Sequence, residues 1–331
     1  MDELLTLLST TEYISGEKLC LQLSMTRAAV WKRMEKLRAE GYLIQSAGKR
    51  GYRLEPVPDN LLPAYVTKEL ATQWAGRGDI FYQTSVSSTN TLLKDAARMG
   101  APKGSLYLCE LQTEGKGRLQ RSWDARQGEN LLQSLLLCPK LPVEQAPLCT
   151  LAAAIAMAQA IEDVVPGLQA GIKWPNDIVI NGKKCVGILS ELSADMDGIQ
   201  FVVMGVGVNV NQTAFPEALR HKATSLLLEA KNSEEKAVDR RKLLCAYLLR
   251  IERAMNALET GGLSALLPEY SRRSVTLQAQ VQVIEANDTW IGYGEAIDET
   301  GALLVRNAAG TLRRVLSGDV SVRGVMGYVD T

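Results

Sequence analysis

Hydrophobic positions follow three rhythms along this chain, and each predicts a different kind of structure. At the N-terminal end, apolar residues recur at helical spacing. Residues 2–8 read as a short amphipathic helix, Ser15 is placed to cap a second helix carrying Leu19, Leu21 and Leu23, and Thr26 a third that runs to Arg38. Val30, Met34 and Leu37 form one stripe of that third helix. Gly41 ends it, and residues 42–44 and 51–54 read as two strands around a tip at Gly48-Lys49-Arg50. The expected unit is a winged helix-turn-helix.

In the middle of the chain the rhythm alternates between sheet and helix. Strands are expected over residues 80–83, 105–112, 131–137, 172–180, 185–192 and 201–210, and helices over 90–98, 148–163 and 240–258. Asn181-Gly182 between two apolar runs is a two-residue hairpin signal, so the strand with Lys173 is expected beside the strand with Gly187. A mixed sheet with helices packed on it follows. From about residue 271 the pattern shortens to strands at Val275, Leu277, Val281 and Val283, then 291–297, 303–305, 312–315 and 320–322. Turn residues at 285–288, 298–301 and 317–319 separate them. A Pro-containing stretch at 55–60 marks the first boundary, so the expected domains are 1–58, 59–270 and 271–331 of an α+β chain.

Charge changes this picture locally. The 331 residues carry 37 basic and 37 acidic side chains, which leaves no global field for a polyanion. Yet residues 26–53 hold eight Lys and Arg against two Glu, whereas residues 1–25 hold one Lys against four acids. The basic charge sits on the third helix and the wing, where such a unit meets DNA, and Arg27, Lys32, Arg33, Lys49 and Arg50 are the expected contacts. The alternative is a protein-docking module with a solvated charged face. Cysteines at 20, 109, 138, 149, 185 and 245 form no CxxC pair, which fits a reducing cytoplasm and argues against structural zinc. The N-terminus has no basic region followed by an apolar one, and no apolar run approaches membrane-spanning length, so a cytoplasmic protein is expected. His221 is the only histidine. Catalysis then falls to cations and backbone donors, with any metal ligands unknown.

The candidate chemistry lies in four segments. Gly115-Lys116-Gly117-Arg118-Leu119-Gln120-Arg121 puts three cations and two glycines into seven residues beside Trp123, a loop able to lay N–H groups and cations against an anion. Lys173-Trp174-Pro175-Asn176-Asp177 interrupts an apolar run. Ser87-Ser88-Thr89-Asn90 lies upstream and Gly205-Val206-Gly207-Val208-Asn209 downstream.

In this order and spacing the four segments resemble those of the biotin-protein ligase family, and with the N-terminal unit the chain resembles its bifunctional form, which joins a ligase to a DNA-binding biotin repressor. The resemblance implies a central sheet like that of class II aminoacyl-tRNA synthetases and a C-terminal SH3-like barrel. It implies formation of biotinyl-5'-AMP from biotin and ATP with Mg2+, then transfer to a lysine of a biotin carboxyl carrier protein. Two anions must be joined first, so cations aimed at the developing charge are what the site needs. By resemblance, Ser88, Thr89, Asn90 and Gln112 bind the ureido head, Lys116, Gly117 and Arg118 approach the carboxylate, and Lys173 and Arg118 are the catalytic cations. Arg121, Trp123, Asn176, Gly187, Gly205, Gly207 and Asn209 are assigned to the nucleotide. Trp123 reads equally as a core aromatic, and the glycines as ordinary strand residues. Gln120 stands where the family loop has glycine, so a strained loop is expected there if that position needs positive φ. A ligand-dependent homodimer on a two-fold operator is expected, because one winged helix makes few DNA contacts. A lipoate-type ligase and a ligand-sensing regulator without ligase activity are the competing readings.

Overall fold

A computed structural model describes residues 2–230, 237–285, 288–317 and 321–324, with Lys49, Gln120 and 321–324 described by backbone alone. The expected turns at 285–288 and 317–319 fall partly outside these residues. Two compact units divide the chain, Met1–Leu70 and Ala71–Thr331.

In the first unit α1 (Glu3–Leu7), α2 (Gly16–Leu23) and α3 (Arg27–Ala39) begin where the caps predict: Asp2, Ser15 and Thr26 each accept from a backbone N–H in the first turn. Leu4, Leu8, Leu19, Val30, Met34 and Leu37 are buried together with Leu54. Two short antiparallel strands follow, β1 (Ile44–Ser46) and β2 (Tyr52–Leu54), around a single turn of 3-10 helix at Gly48–Arg50. Gly51 is required there: at φ 100° it lies so close to Ile14 that a Cβ would stand 2.0 Å from the Ile14 carbonyl oxygen. The unit then runs past the sequence-read linker into α4 (Pro63–Glu69), where Tyr65 stacks on Tyr42 at 5.9 Å.

The second unit is built on a seven-stranded mixed sheet. In chain order its strands are β3 (Ile80–Val86), β4 (Leu106–Gln112), β5 (Leu131–Leu137), β6 (Gly171–Lys173), β7 (Asp177–Ile180), β8 (Lys183–Asp195) and β9 (Gly198–Val208). Their spatial order is β3-β4-β5-β9-β8-β7-β6. Only β3 and β4 run parallel, joined by the crossover helix α5 (Thr89–Arg98), which packs on β4, β5 and β9. Helix α6 (Leu148–Val164) lies over β6 to β8 and against the long α8 (Arg240–Arg273), with the single-turn α7 (Leu226–Glu229) between them in sequence. A second, antiparallel sheet closes the chain: β10 (Ala279–Ile284), β11 (Thr289–Ile297), β12 (Leu303–Asn307), β13 (Leu312–Val315) and β14 (Ser321–Gly324), in the order β13-β12-β11-β10-β14.

Five expectations need correction. Residues 172–180 are two strands, not one: β6 and β7 pair antiparallel and the chain reverses at Trp174-Pro175-Asn176, with a cis bond before Pro175. Pro175 has no N–H for a ladder, and Asn176 takes over the turn by donating to the Ile188 carbonyl at 2.7 Å. Consequently β7 separates Lys173 from Gly187, and Asp177 is the residue paired with both. Val275 and Leu277 precede β10 rather than belong to it; the Val275 N–H bonds the Ile172 carbonyl and tethers the two sheets. Finally, residues Val143–Val164 do include a helix long and apolar enough to cross a membrane, but 72% of that window is buried inside the protein. Its alanines are core contacts of α6, where small side chains let α8 and the sheet approach. Helix α8 outruns its expected end, with non-helical Gly262 and Pro268 inside it.

Candidate active site

The Asn181-Gly182 hairpin forms as its residues demand, both at positive φ (48° and 75°), and sets β7 against β8. This fixes Lys173 at the end of β6, where it is only 6% exposed. Its neighbour Trp174 anchors the turn from below, 1% exposed, donating from Nε1 to the Gly301 carbonyl at 3.0 Å and from its backbone N–H to Thr276 Oγ1 at 3.0 Å. A buried lysine next to an immobilised indole is held rather than sampled. Asp177, opposite Lys173 across the hairpin, forms an ion pair of 2.5 Å with Lys184, a residue that sequence reading passed over.

The basic loop closes on itself. Lys116 bridges Ser122, Gly117 N–H donates to the Arg121 carbonyl at 2.7 Å, and Trp123 N–H to the Gly115 carbonyl at 3.0 Å. Leu119, next to Gln120 at its tip, is left-handed at φ 54° and half exposed. Lys116 and Arg121 are exposed, whereas Arg118 turns inward. Its guanidinium donates to Asn176 Oδ1 at 3.2 Å and to the Ser317 carbonyl; burial lowers its pKa, with Arg121 acting in the same sense and Asp177 opposing.

Two glycines expected beside a ligand receive a protein side chain. Gly187 and Gly207 face each other across β8 and β9, and a Cβ on either would stand 2.8 Å from the Trp123 ring. Trp123 therefore lies flat on a glycine platform, with Lys184 Nζ 5.5 Å from its ring centre. Trp123 Nε1 is buried with no hydrogen-bond partner among the described residues, and so is Asn209 Oδ1, whose amide end donates to the Thr224 carbonyl at 3.0 Å.

At the other end α5 points its first turn into the site. Ser88 caps the helix through Thr91 N–H, and Gln112 at the end of β4 accepts from Thr89 N–H at 2.8 Å. Asn90 lies against Gly205, where a Cβ would stand 2.2 Å from its Oδ1. Buried Ser134, unflagged by any motif, bonds both Thr89 and Asn90.

These parts line one cavity of about 560 Å³. Every residue assigned to biotin or the nucleotide borders it: Ser88, Thr89, Asn90 and Gln112 at one part, Lys116, Gly117, Arg118, Arg121 and Trp123 from the loop, Lys173 and Asn176 from the hairpin turn, and Gly187, Gly205, Gly207 and Asn209 from the sheet. Lys184, Lys222 and Gln282 also line it and were missed, since none of them belongs to a motif. Among the described residues no three His, Cys, Asp or Glu gather as a metal site.

The DNA-contact candidates divide. Arg27, Lys32 and Arg50 are exposed, and Arg50 and Arg53 both lie over the Tyr13 ring at 5.0 and 4.9 Å. Arg33 is instead paired with Asp2 at 2.8 Å, which raises its pKa. The Lys49 side chain lies outside the described atoms.

Three family models match along the chain: an HTH domain over residues 1–53, the biotin/lipoate A/B protein ligase family over 82–209, and a biotin protein ligase C-terminal domain over 280–323. The bifunctional ligase/repressor BirA of Bacillus spizizenii is 36% identical over 314 residues, 94% of either chain. The chain belongs to the bifunctional biotin ligase/repressor family. BirA of Escherichia coli is a more distant member, 29% identical over 97% of this chain and 96% of its own. Among solved structures, the biotin protein ligase of Aquifex aeolicus in complex with biotin and ATP superposes with a TM-score of 0.63 at 27% identity, covering 74% of this ligase/repressor and 99% of that chain.

Proposed function

We infer that the protein is a biotin ligase that activates biotin with ATP to biotinyl-5'-AMP and passes the biotinyl group to a lysine of a biotin carboxyl carrier protein, and that it also represses biotin genes through its N-terminal unit. The observation that carries the ligase reading is the convergence of buried Lys173 and inward Arg118 on one cavity whose opposite part is built of hydrogen-bonding groups. In the first step a biotin carboxylate oxygen attacks the α-phosphorus of ATP and pyrophosphate leaves. Lys173 and Arg118 offset the anionic repulsion and the charge that builds on phosphorus. In the second, the carrier amine attacks the mixed anhydride and AMP leaves.

Thr89, Gln112 and their neighbours take the ureido head. This favours biotin over lipoate, because a dithiolane has no N–H or carbonyl to satisfy those buried polar groups. The orphaned Trp123 Nε1 and Asn209 Oδ1, a donor and an acceptor in the same wall, suit a purine, so the nucleotide lies toward that side. With no cluster of metal ligands among the described residues, Mg2+ fits as an ion carried on the triphosphate, neutralising its charge.

The finer architecture belongs to the same reading: the C-terminal sheet closes as an SH3-like barrel, the seven-stranded sheet is of the class II synthetase kind, the linker begins near residue 58 with α4 still attached to the first domain, the last domain starts near 270, and the protein works in the cytoplasm. It binds its operator as a homodimer promoted by biotinyl-5'-AMP, since two units on a two-fold site double the few contacts one can make. Biotin-dependent ATP–pyrophosphate exchange, run beside lipoate, tests the ligase reading: exchange with biotin is expected, and exchange with lipoate alone overturns it. Sedimentation and operator binding with and without the adenylate test the coupling; identical operator affinity across protein concentrations spanning dimerisation overturns that part.

A further inference from the structure

One hydrogen-bond chain beside the cavity has its direction fixed from Glu191 as far as Ser134. Asn90 Nδ2 lies 2.9 Å from Glu191 Oε2 and 3.2 Å from the Leu189 carbonyl, both of which only accept, so the nitrogen of the carboxamide is on that side. Its Oδ1 therefore faces Ser134 Oγ at 2.6 Å, and Ser134 must donate. That spends the single Ser134 proton. With that proton spent, Thr89 Oγ1, 2.8 Å from Ser134 Oγ, receives none from it, and the one Thr89 hydroxyl proton goes to Ser134 Oγ or to Gln112 Oε1, 3.1 Å away. Gln112 Oε1 accepts from the Thr89 N–H, which leaves Gln112 Nε2 as a donor. The protons run Ser134 to Asn90 to Glu191, and the Thr89 hydroxyl spends its own proton within the protein, on Ser134 or Gln112.

The chain ends on a carboxylate that is itself held from the far side. Lys94 Nζ stands 3.4 Å from Glu191 Oε1, and Gly205 lets Asn90 lie flat on β9. Both Asn90 amide protons are committed within the protein. We propose that Glu191 is a positioning residue for the ureido part of the site: by fixing the Asn90 carboxamide it makes the Thr89 hydroxyl present a lone pair, suited to a ligand N–H, while Gln112 presents an N–H suited to a ligand carbonyl. Asn90 then acts as a relay and does not itself hold the ligand. This rests on biotin being the substrate.

The test is steady-state pyrophosphate exchange and calorimetric titration of biotin on the full chain. Glu191→Ala removes the acceptor, lets Asn90 turn over, and should raise KM and Kd for biotin about tenfold while KM for ATP and turnover at saturating biotin stay within about twofold. Glu191→Gln, whose Oε1 still accepts, should restore biotin affinity to within about threefold of the parent. A Glu191→Ala protein with parental KM for biotin overturns the proposal, as does one in which turnover and both KM values worsen together. Should Glu191→Ala fail to fold, Ser134→Ala removes the donor on the other side of Asn90 and must give the same biotin-selective loss; a parental value there overturns it equally. A parent chain that exchanges pyrophosphate without any response to biotin sinks the ligase reading itself, which is a separate result.

Discussion

The cations of the first unit and those of the cavity belong to the same residue types and do different physical work. Arg27, Lys32 and Arg50 stand in water at the surface, whereas Lys173 is 6% exposed and Arg118 is buried enough that its pKa falls. A solvated cation gains little from one anion and contributes by releasing counterions from a polyanion, an effect that salt erases. A desolvated cation on a fixed backbone acts on one charge at short range, with little reorganisation when that charge appears. On the proposed function, one sequence thus uses lysine and arginine for affinity that is spread out and for catalysis that is local.

The sharpest way to break this comparison is Lys173→Gln. Turnover in adenylation should fall about a thousandfold, the scale for losing one preorganised donor to a transition state, with biotin affinity nearly kept. Parental turnover would remove Lys173 from the chemistry. Next in size is a cut after Leu70, where the first compact unit ends. DNA binding should disappear and adenylation remain within about threefold, since every cavity residue lies beyond the cut. A cut at residue 58 would instead strand Tyr65 without Tyr42. A folded 71–331 fragment unable to activate biotin would show that the two sets of cations are not separable.

Caps, periodicity and the Asn-Gly turn made much of the fold legible, because they are local: Asp2, Ser15, Thr26 and Asn181-Gly182 act within a few residues of themselves. The site was legible where residues cluster in sequence, as in the basic loop and the Lys173 hairpin. What sequence did not reveal depends on register and sheet order. Ser134, Lys184 and Glu191 are polar strand residues outside any motif, and only the order of the strands around α5 brings them to the site. The glycines at 187, 205 and 207 were read as room for a ligand, yet the atoms nearest to them are Trp123 and Asn90, a pairing no spacing rule encodes. Reading residues 172–180 as one strand failed for a related reason: the apolar residues on both sides of the Lys173–Asp177 interruption belong to paired strands, and Trp174 within it is buried.

A smaller effect sharpens the surface half of the comparison. Arg27→Ala and Lys32→Ala should each lower the slope of log operator affinity against log salt by about one. Arg33→Ala should leave that slope alone and cost about 1 kcal/mol of stability or less, because its charge is already matched by Asp2 in a partly exposed pair. Equal slopes for all three variants would mean that exposure does not sort these cations.

The smallest effect concerns a third kind of cation, buried and structural. Arg273 is 7% exposed and sits between two carboxylates, 2.6 Å from Glu162 and 2.7 Å from Glu269. The Arg272 hydrogen bond, against burial and with help from Arg273 and Gln159, holds Glu269 down to about 2; burial works to raise Glu162, and its bonds to Arg273 and Ala170 N–H outweigh that. A carboxylate lowered in the folded state stabilises fully above its ordinary pKa and loses that contribution as pH falls through the folded value. Stability from this network should therefore be flat between about pH 6 and 8 and decline below about pH 4.5 toward pH 2. Urea unfolding across that range should show Glu269→Gln already destabilised at neutral pH and less sensitive to acid than the parent. The carboxamide has no charge to lose, so an acid limb identical to the parent's would mean that neither Arg272 nor Arg273 draws on the Glu269 charge and that the burial of Arg273 is supported by Glu162 alone.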